Sequence, residues 1–301
     1  MVAERLLGID LGGTSIKTAL LEKSGDSFTV IWDDQRDTRA GGGPLAVTEN
    51  LIDTAEAAIA RNGPPTAIGL GVPGLFEADT GNVVLFPNLP GDWDGFPLRE
   101  RMERALSAPI WMVNDARAFT LAEGTMGAGA GCRTVVCMTL GTGVGGGIMM
   151  DGRLYRGAFG VAGELGHQTI DPDGRICGCG NRGCVEAMAR ADVLAELAGK
   201  TSAEEVYASA ALGEVDSLDA IRQVAGYLGI GLANVVTLLG PDRIVIGGGI
   251  VEAGELVLGP IRDAVRARVT LVPTDLIEVV PASLGTSAGA IGAALAGWFR
   301  P

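Results

Sequence analysis

Apolar and small residues alternate along the first stretch of the chain. Leu7, Ile9 and Leu11 lead into Gly12-Gly13, and Ile16 to Leu21 returns, which predicts strand, glycine turn, strand. The same pattern recurs in "RTVVCMTLGTGVGGGIMMDGRLY" from Arg133. Between the two, "PLAVTENLIDTAEAAIARNG" has helical spacing and is stopped by Gly63 and Pro64. "AIGLGVPGLF" reads as a buried strand entering a Pro-Gly turn, and "APIWMVNDARAFTLAEGTMG" as a strand ending at Asn114-Asp115 followed by a helix. After the second glycine turn come a long helix in "LDAIRQVAGYLGIGLANVVTLLG", the strand "RIVIGGGI", a helix at "IRDAVRARV", a strand at "LIEVVPASL" and a closing helix in "TSAGAIGAALAGWF". Thr286 or Ser287 is placed to cap this last helix.

Two strand–glycine-turn–strand units, each followed by alternating helices and strands, amount to a weak internal duplication. They predict an α/β protein of two lobes facing each other across a cleft, each lobe offering one glycine hairpin. The expected division is residues 1–114 as the smaller lobe, completed by the C-terminal helix 286–301, and 115–285 as the larger. No Pro/Ser-rich linker separates them.

Composition narrows the function. The 301 residues are 47% hydrophobic and carry a formal charge of -13, which repels a phosphate backbone and argues against a nucleic-acid partner. The N-terminus lacks the apolar core of a signal peptide, and the strongly apolar stretch near "AGAIGAALAGWF" is too short to span a bilayer. The expectation is a cytoplasmic protein with no membrane partner. Its clustered thiols would then be reduced and favour metal over disulfide.

Three glycine clusters can approach a ligand closely. "DLGGT" (Asp10, Gly12, Gly13, Thr14) and "GTGVGGG" (Gly141, Thr142, Gly143 and beyond) leave backbone N–H groups open to an anion, and Asp10 can hold Mg²⁺ or its water. Neither is a Walker loop, and neither opens a helix as a dinucleotide fingerprint does. The plain alternative is a tight hairpin. Gly247, Gly248 and Gly249 follow a strand and suit either a flat ring such as adenine or a simple strand-to-helix turn. Asn114-Asp115 ends a strand where α/β folds place their chemistry, and the same pair suits a helix cap.

His167, the single histidine, is separated by nine intervening residues from "CGCGNRGCVE", whose Cys177, Cys179 and Cys184 complete a Cys₃His set over the loop 167–186. Four protein ligands fill a tetrahedral zinc shell, so the Zn²⁺ would be structural. Cys132 and Cys137 read as buried hydrophobes. Glu164 and Glu186 flank the ligands and, once anchored, can accept hydrogen bonds from a sugar's hydroxyls. His167 can ligate with one ring nitrogen and present the other.

In this order "GIDLGGT", "VPG", "ND", "GTGVGGG", "GELGH" and "CGCGNRGCVE" resemble the ROK family of repressors and sugar kinases over essentially the whole chain, and within it the bacterial ATP-dependent glucokinases. The resemblance implies two actin-like, ribonuclease-H-like lobes and ATP-dependent phosphorylation of a hexose, glucose first, at its 6-hydroxyl. N-acetylglucosamine, N-acetylmannosamine, mannose and fructose are the alternative acceptors, and a non-catalytic sugar sensor is the alternative class. The family's DNA-binding repressors carry a helix-turn-helix ahead of the first lobe, and here the first strand begins within ten residues. The resemblance makes Asp115 the catalytic base. It makes Gly12, Gly13, Thr14, Gly141, Thr142 and Gly143 phosphate-binding, and Gly247, Gly248 and Gly249 neighbours of adenosine. Gly74, Asn88, Asn114, Asp115, Glu164, His167 and Glu186 become sugar-contacting. It also implies a homodimer, with a tetramer as the alternative. Two positions depart from the common pattern. Arg117 stands in "NDARA", expected on the outer face of its helix, and Ser15 stands where a lysine is frequent.

Overall fold

The computed structural model describes residues 4–158 and 160–300. In chain order they form β1 (Glu4–Leu11), β2 (Ser15–Ser24), β3 (Ser27–Asp37), α1 (Gly43–Asn62), β4 (Ala67–Val72), β5 (Leu75–Phe76), β6 (Val83–Leu85), α2 (Leu98–Leu106), β7 (Ile110–Asn114) and α3 (Asp115–Thr125). They continue with β8 (Thr134–Leu140), β9 (Val144–Met150), β10 (Arg153–Leu154), α4 (Val185–Ala189), α5 (Ala191–Leu197), α6 (Ala203–Ala211) and α7 (Val215–Leu239). The last elements are β11 (Arg243–Gly247), α8 (Glu255–Arg266), β12 (Glu278–Pro281) and α9 (Ala288–Phe299).

The chain forms two compact units. One runs to Ala122 and resumes at Leu284, and the other is Glu123–Ser283. The division falls inside α3 rather than between 114 and 115, so Asp115 stays with the strand that delivers it. Each unit holds a five-stranded sheet with the same pattern of pairing. In the first the order is β3-β2-β1-β4-β7, and in the second β10-β9-β8-β11-β12. In each, the hairpin strands are antiparallel and the two later strands join the first in parallel.

In the first unit every residue of β4 is buried, the mark of a parallel strand covered on both faces. α9 presses onto this sheet at glycines. A Cβ at Gly8 would lie 1.9 Å from the Ala290 carbonyl oxygen, and one at Gly69 1.7 Å from that of Ala293. Ser287 begins α9 without a side-chain cap bond, contrary to the capping expected of Thr286 or Ser287. The short 3₁₀ turn Gly285–Ser287 already runs into the helix, and Ser287 has helical φ and ψ, so its hydroxyl is not in capping geometry.

In the second unit α7 is the central helix, with Ala220, Ile221, Val224, Ala225, Leu228 and Leu232 buried at helical spacing. It is long and apolar enough to cross a membrane by length and composition, which the sequence reading passed over. More than half of its most apolar window is buried inside this unit, the placement of a core helix.

Candidate active site

In the first unit, Gly12 N–H donates to the Ser15 carbonyl at 3.0 Å and closes the turn between β1 and β2. The Thr38 hydroxyl donates to the Gly12 carbonyl at 2.7 Å, and Thr38 N–H to that of Thr14 at 2.9 Å. The hairpin is thereby held from outside as well as by its own turn. Gly13 lies against the backbone of Asn88, itself exposed, where an added Cβ would be 3.1 Å from the Asn88 oxygen. Asp10 ends up between two glycines. A Cβ at Gly289 would stand 2.3 Å from its carboxylate and one at Gly71 3.1 Å away. Burial lifts the Asp10 carboxyl to about 6, the charge of Asp115 adds to the rise, and Lys17 opposes it. Two carboxylates in one field, one of them shielded from water, suit a divalent cation.

Asn114 does the capping at the start of α3. Its Oδ1 accepts from the backbone N–H of Ala116 at 3.1 Å and of Arg117 at 3.3 Å, and its Nδ2 donates to the Gly74 carbonyl at 3.1 Å. Gly74 has φ +82, and a Cβ there would lie 2.2 Å from the Leu85 carbonyl oxygen, so only glycine fits this turn. Asp115, next to the cap, is exposed and accepts from Ala116 N–H at 2.8 Å. The cap and the chemistry-bearing acid are therefore neighbouring residues. Arg117 is half-buried, with its Nε shielded, and does not stand on the outer face of α3.

In the second unit, the turn Gly141–Gly143 joins β8 to β9. Its Gly141 carbonyl accepts from Ala191 N–H, at the start of α5, at 3.0 Å. The third glycine run turns away from β11 at Gly248, which has φ +92 and comes so close to the Leu140 carbonyl that a Cβ would stand 2.0 Å from its oxygen. Beside it lies a pocket of about 440 Å³ whose lining includes Gly141, Leu194, Tyr207, Gly249, Ile250 and Glu252. Small and apolar walls with a few polar groups suit a flat heteroaromatic ring.

The cysteine loop is a tight hairpin. Cys177 N–H donates to Asn181 O at 2.8 Å, Gly180 N–H to Cys177 O at 3.0 Å, and Ile176 bridges Arg182. It brings the ligand atoms of His167, Cys177, Cys179 and Cys184 within 4.8 Å of one another. Cys177 Sγ is 3.6 Å from His167 Nδ1, and the sulfurs of Cys179 and Cys184 are 3.8 Å apart. Tetrahedral zinc, with Zn–S about 2.3 Å and Zn–N about 2.0 Å, sets sulfur–sulfur edges near 3.8 Å and sulfur–nitrogen edges near 3.5 Å. The donor set fits zinc in chemistry and in spacing. Burial pushes the Cys184 thiol up to about 12 and raises Cys177, while the backbone N–H of Asn181 lowers Cys179. Cys137 is buried within β8, and Cys132 lies away from the cluster. Glu164 precedes the 3₁₀ turn Leu165–His167, and Glu186 sits in the first turn of α4, two residues after Cys184.

Several residues of these sites carry no sequence signal of their own. Gly71 and Gly289 enclose Asp10, Thr38 buttresses the first turn, and Leu194 and Tyr207 wall the pocket. Only the near-absence of large side chains in "TSAGAIGAALAG" hints that something approaches α9 closely.

Comparison with known proteins places the chain in a family. The sequence profile described as "ROK family" matches residues 6–297. The glucokinase of Halalkalibacterium halodurans is 34% identical over 97% of this chain and 94% of its own. Among solved structures, a ROK hexokinase from Thermus thermophilus has a TM-score of 0.84 at 33% identity, covering 98% of both chains. A ROK family glucokinase from Streptomyces griseus, in complex with glucose and AMPPNP, has a TM-score of 0.80 at 31% identity over 98% of this chain and 99% of that one.

Proposed function

The chain belongs to the ROK family, and from that premise we propose that it transfers the γ-phosphoryl group of ATP to the 6-hydroxyl of glucose. The observation that carries the reading is the pairing in the first unit. A glycine hairpin ends in a shielded acid, Asp10, which feels the charge of a second acid, Asp115, standing at a strand end beside its own helix cap. A hairpin that merely turns the chain does not need a half-buried, desolvated carboxylate, and a helix already capped by Asn114 does not need Asp115.

Asp115 accepts the proton of the 6-hydroxyl as that oxygen bonds to the γ-phosphorus. The bond from phosphorus to the β,γ-bridging oxygen breaks, and its electron pair leaves with ADP. The N–H groups of Gly12, Gly13 and Thr14, and those of Gly141, Thr142 and Gly143, orient the phosphates. Gly247, Gly248 and Gly249 leave room for the adenosine, with the pocket beside Tyr207 for its base. Magnesium, when bound with the nucleotide, supplies neutralisation of phosphate charge, and Asp10 would hold it or one of its waters. The sugar is assigned to the positions that the family resemblance gives it: Gly74, Asn88, Asn114, Asp115, Glu164, His167 and Glu186. A structural Zn²⁺ on His167, Cys177, Cys179 and Cys184 keeps the last two of these in place. The enzyme works in the cytoplasm as a homodimer.

Purified protein with ATP, Mg²⁺ and a panel of hexoses tests this. Glucose 6-phosphate is the expected product, with glucose giving the highest kcat/KM. Sugar binding with no phosphoryl transfer to any hexose would turn the reading into that of a sugar sensor. Elemental analysis should give one zinc per chain.

A further inference from the structure

Glu186 has a second duty that the sugar assignment leaves out. Its Oε2 accepts from the backbone N–H of Val144 at 3.0 Å, on the strand side of the Gly141–Gly143 turn. The same oxygen occupies the space over Gly143, where a Cβ would lie 2.6 Å away, so the glycine there is required by the carboxylate. Glu186 itself is set by the cysteine loop. Cys184 ends the loop and starts α4, Val185 N–H donates to the Gln168 carbonyl at 2.9 Å, and Cys184 bridges Thr169. The other end of the donor set reaches the same strand. Gly166, next to His167, lies so close to the Val144 carbonyl that a Cβ would stand 1.9 Å from its oxygen. Val144 therefore donates its N–H to the residue two after one metal donor, and its C=O is packed against the residue before another.

We propose that Glu186 is a positioning residue for the nucleotide phosphates, and that through it the metal loop sets the affinity for nucleotide even when no sugar is bound. The inference rests on reading Gly141–Gly143 as a phosphate hairpin. The carboxylate fixes the direction of the Val144 N–H, and with it the turn whose N–H groups face the phosphates. Loss of the metal frees Cys184, loosens the first turn of α4 and releases that bond.

The substitutions Glu186→Ala and Glu186→Gln separate this role from sugar contact. Glutamine keeps an oxygen for Val144 N–H but loses the charge; alanine loses both. ADP titrated by calorimetry without sugar should bind Glu186→Ala on the order of tenfold more weakly than the parent, and Glu186→Gln within about threefold of it. Hydrogen exchange at the Val144 amide should speed up in Glu186→Ala and stay slow in Glu186→Gln. Wild-type protein stripped with a chelator provides the same test without a substitution. It should lose Val144 protection and ADP affinity together, and readdition of zinc should restore both. ADP affinity and Val144 exchange unchanged in Glu186→Ala, or unchanged on stripping, would overturn the proposal. A wild-type, zinc-loaded protein that binds no ADP would instead overturn the phosphate assignment from which the inference starts.

Discussion

At Asp115 the chemistry depends on one carboxylate whose backbone is already committed to a helix start. Asn114 supplies the cap, so Asp115→Asn preserves the fold of α3 while removing the proton acceptor. A fall in kcat on the order of 10²–10⁴ is expected, with glucose affinity little changed. Turnover near the parent value in this variant would exclude Asp115 as the base. Asp10 makes a prediction of a different kind. Its carboxyl is lifted from 3.8 to about 6 in the folded, ligand-free protein, so the folded state holds a proton that the unfolded chain has already lost. The sign follows from the proton count. Between those values the native state binds more protons, and stability falls as pH rises, by at most about 3 kcal/mol from this group. Asp10→Asn should therefore raise stability at pH 7.5 relative to the parent and lose most of that advantage near pH 4, while abolishing activity. Urea titrations at the two pH values measure it; an advantage independent of pH would show that desolvation of the charge is not its source.

At the scale of elements, the contact of α9 with β1 and β4 is made at backbone distance. Gly8→Ala places a methyl group on the Ala290 carbonyl, and neither strand nor helix can give way alone. The expected cost is about 3 kcal/mol or more, seen as a lower denaturation midpoint. Gly25→Ala, where no atom lies within 4 Å but φ is +60, is the comparison that isolates backbone strain from overlap, and it should cost about 1 kcal/mol. The metal loop is a second element, a hairpin closed by backbone bonds such as Cys177 N–H to the Asn181 carbonyl and Gly183 N–H to that of Arg175. Cys179 is its exposed ligand, so Cys179→Ser should lower zinc below one per chain and raise amide exchange over residues 177–184 without unfolding either core. Full zinc retention would remove Cys179 from the ligand set.

For the whole molecule, the expected assembly is a homodimer, and light scattering at micromolar concentration should report twice the chain mass. Monomer alone at that concentration would refute it. The charge of -13 favours solubility by mutual repulsion and contributes nothing to the choice of fold.

The sequence by itself determined what depends on neighbours along the chain. The alternation at Leu7, Ile9 and Leu11, the glycine pair after it and its echo at Gly141–Gly143 were readable because strand period and turn chemistry are local. The Cys₃His set was readable because three donors sit within eight residues. The tertiary structure decided what depends on approach through space. It made Asn114 the cap and Asp115 its exposed neighbour, a division of labour that the dipeptide leaves open. It enclosed Asp10 between Gly71 and Gly289, residues more than 200 positions apart, and raised its pKa by excluding water. It also turned Glu186, which spacing marks only as the acid after a thiol, toward the Val144 amide 42 residues earlier. Local patterns fix which backbone a segment can adopt; burial, charge coupling and a shared hydrogen bond exist only once distant segments have met.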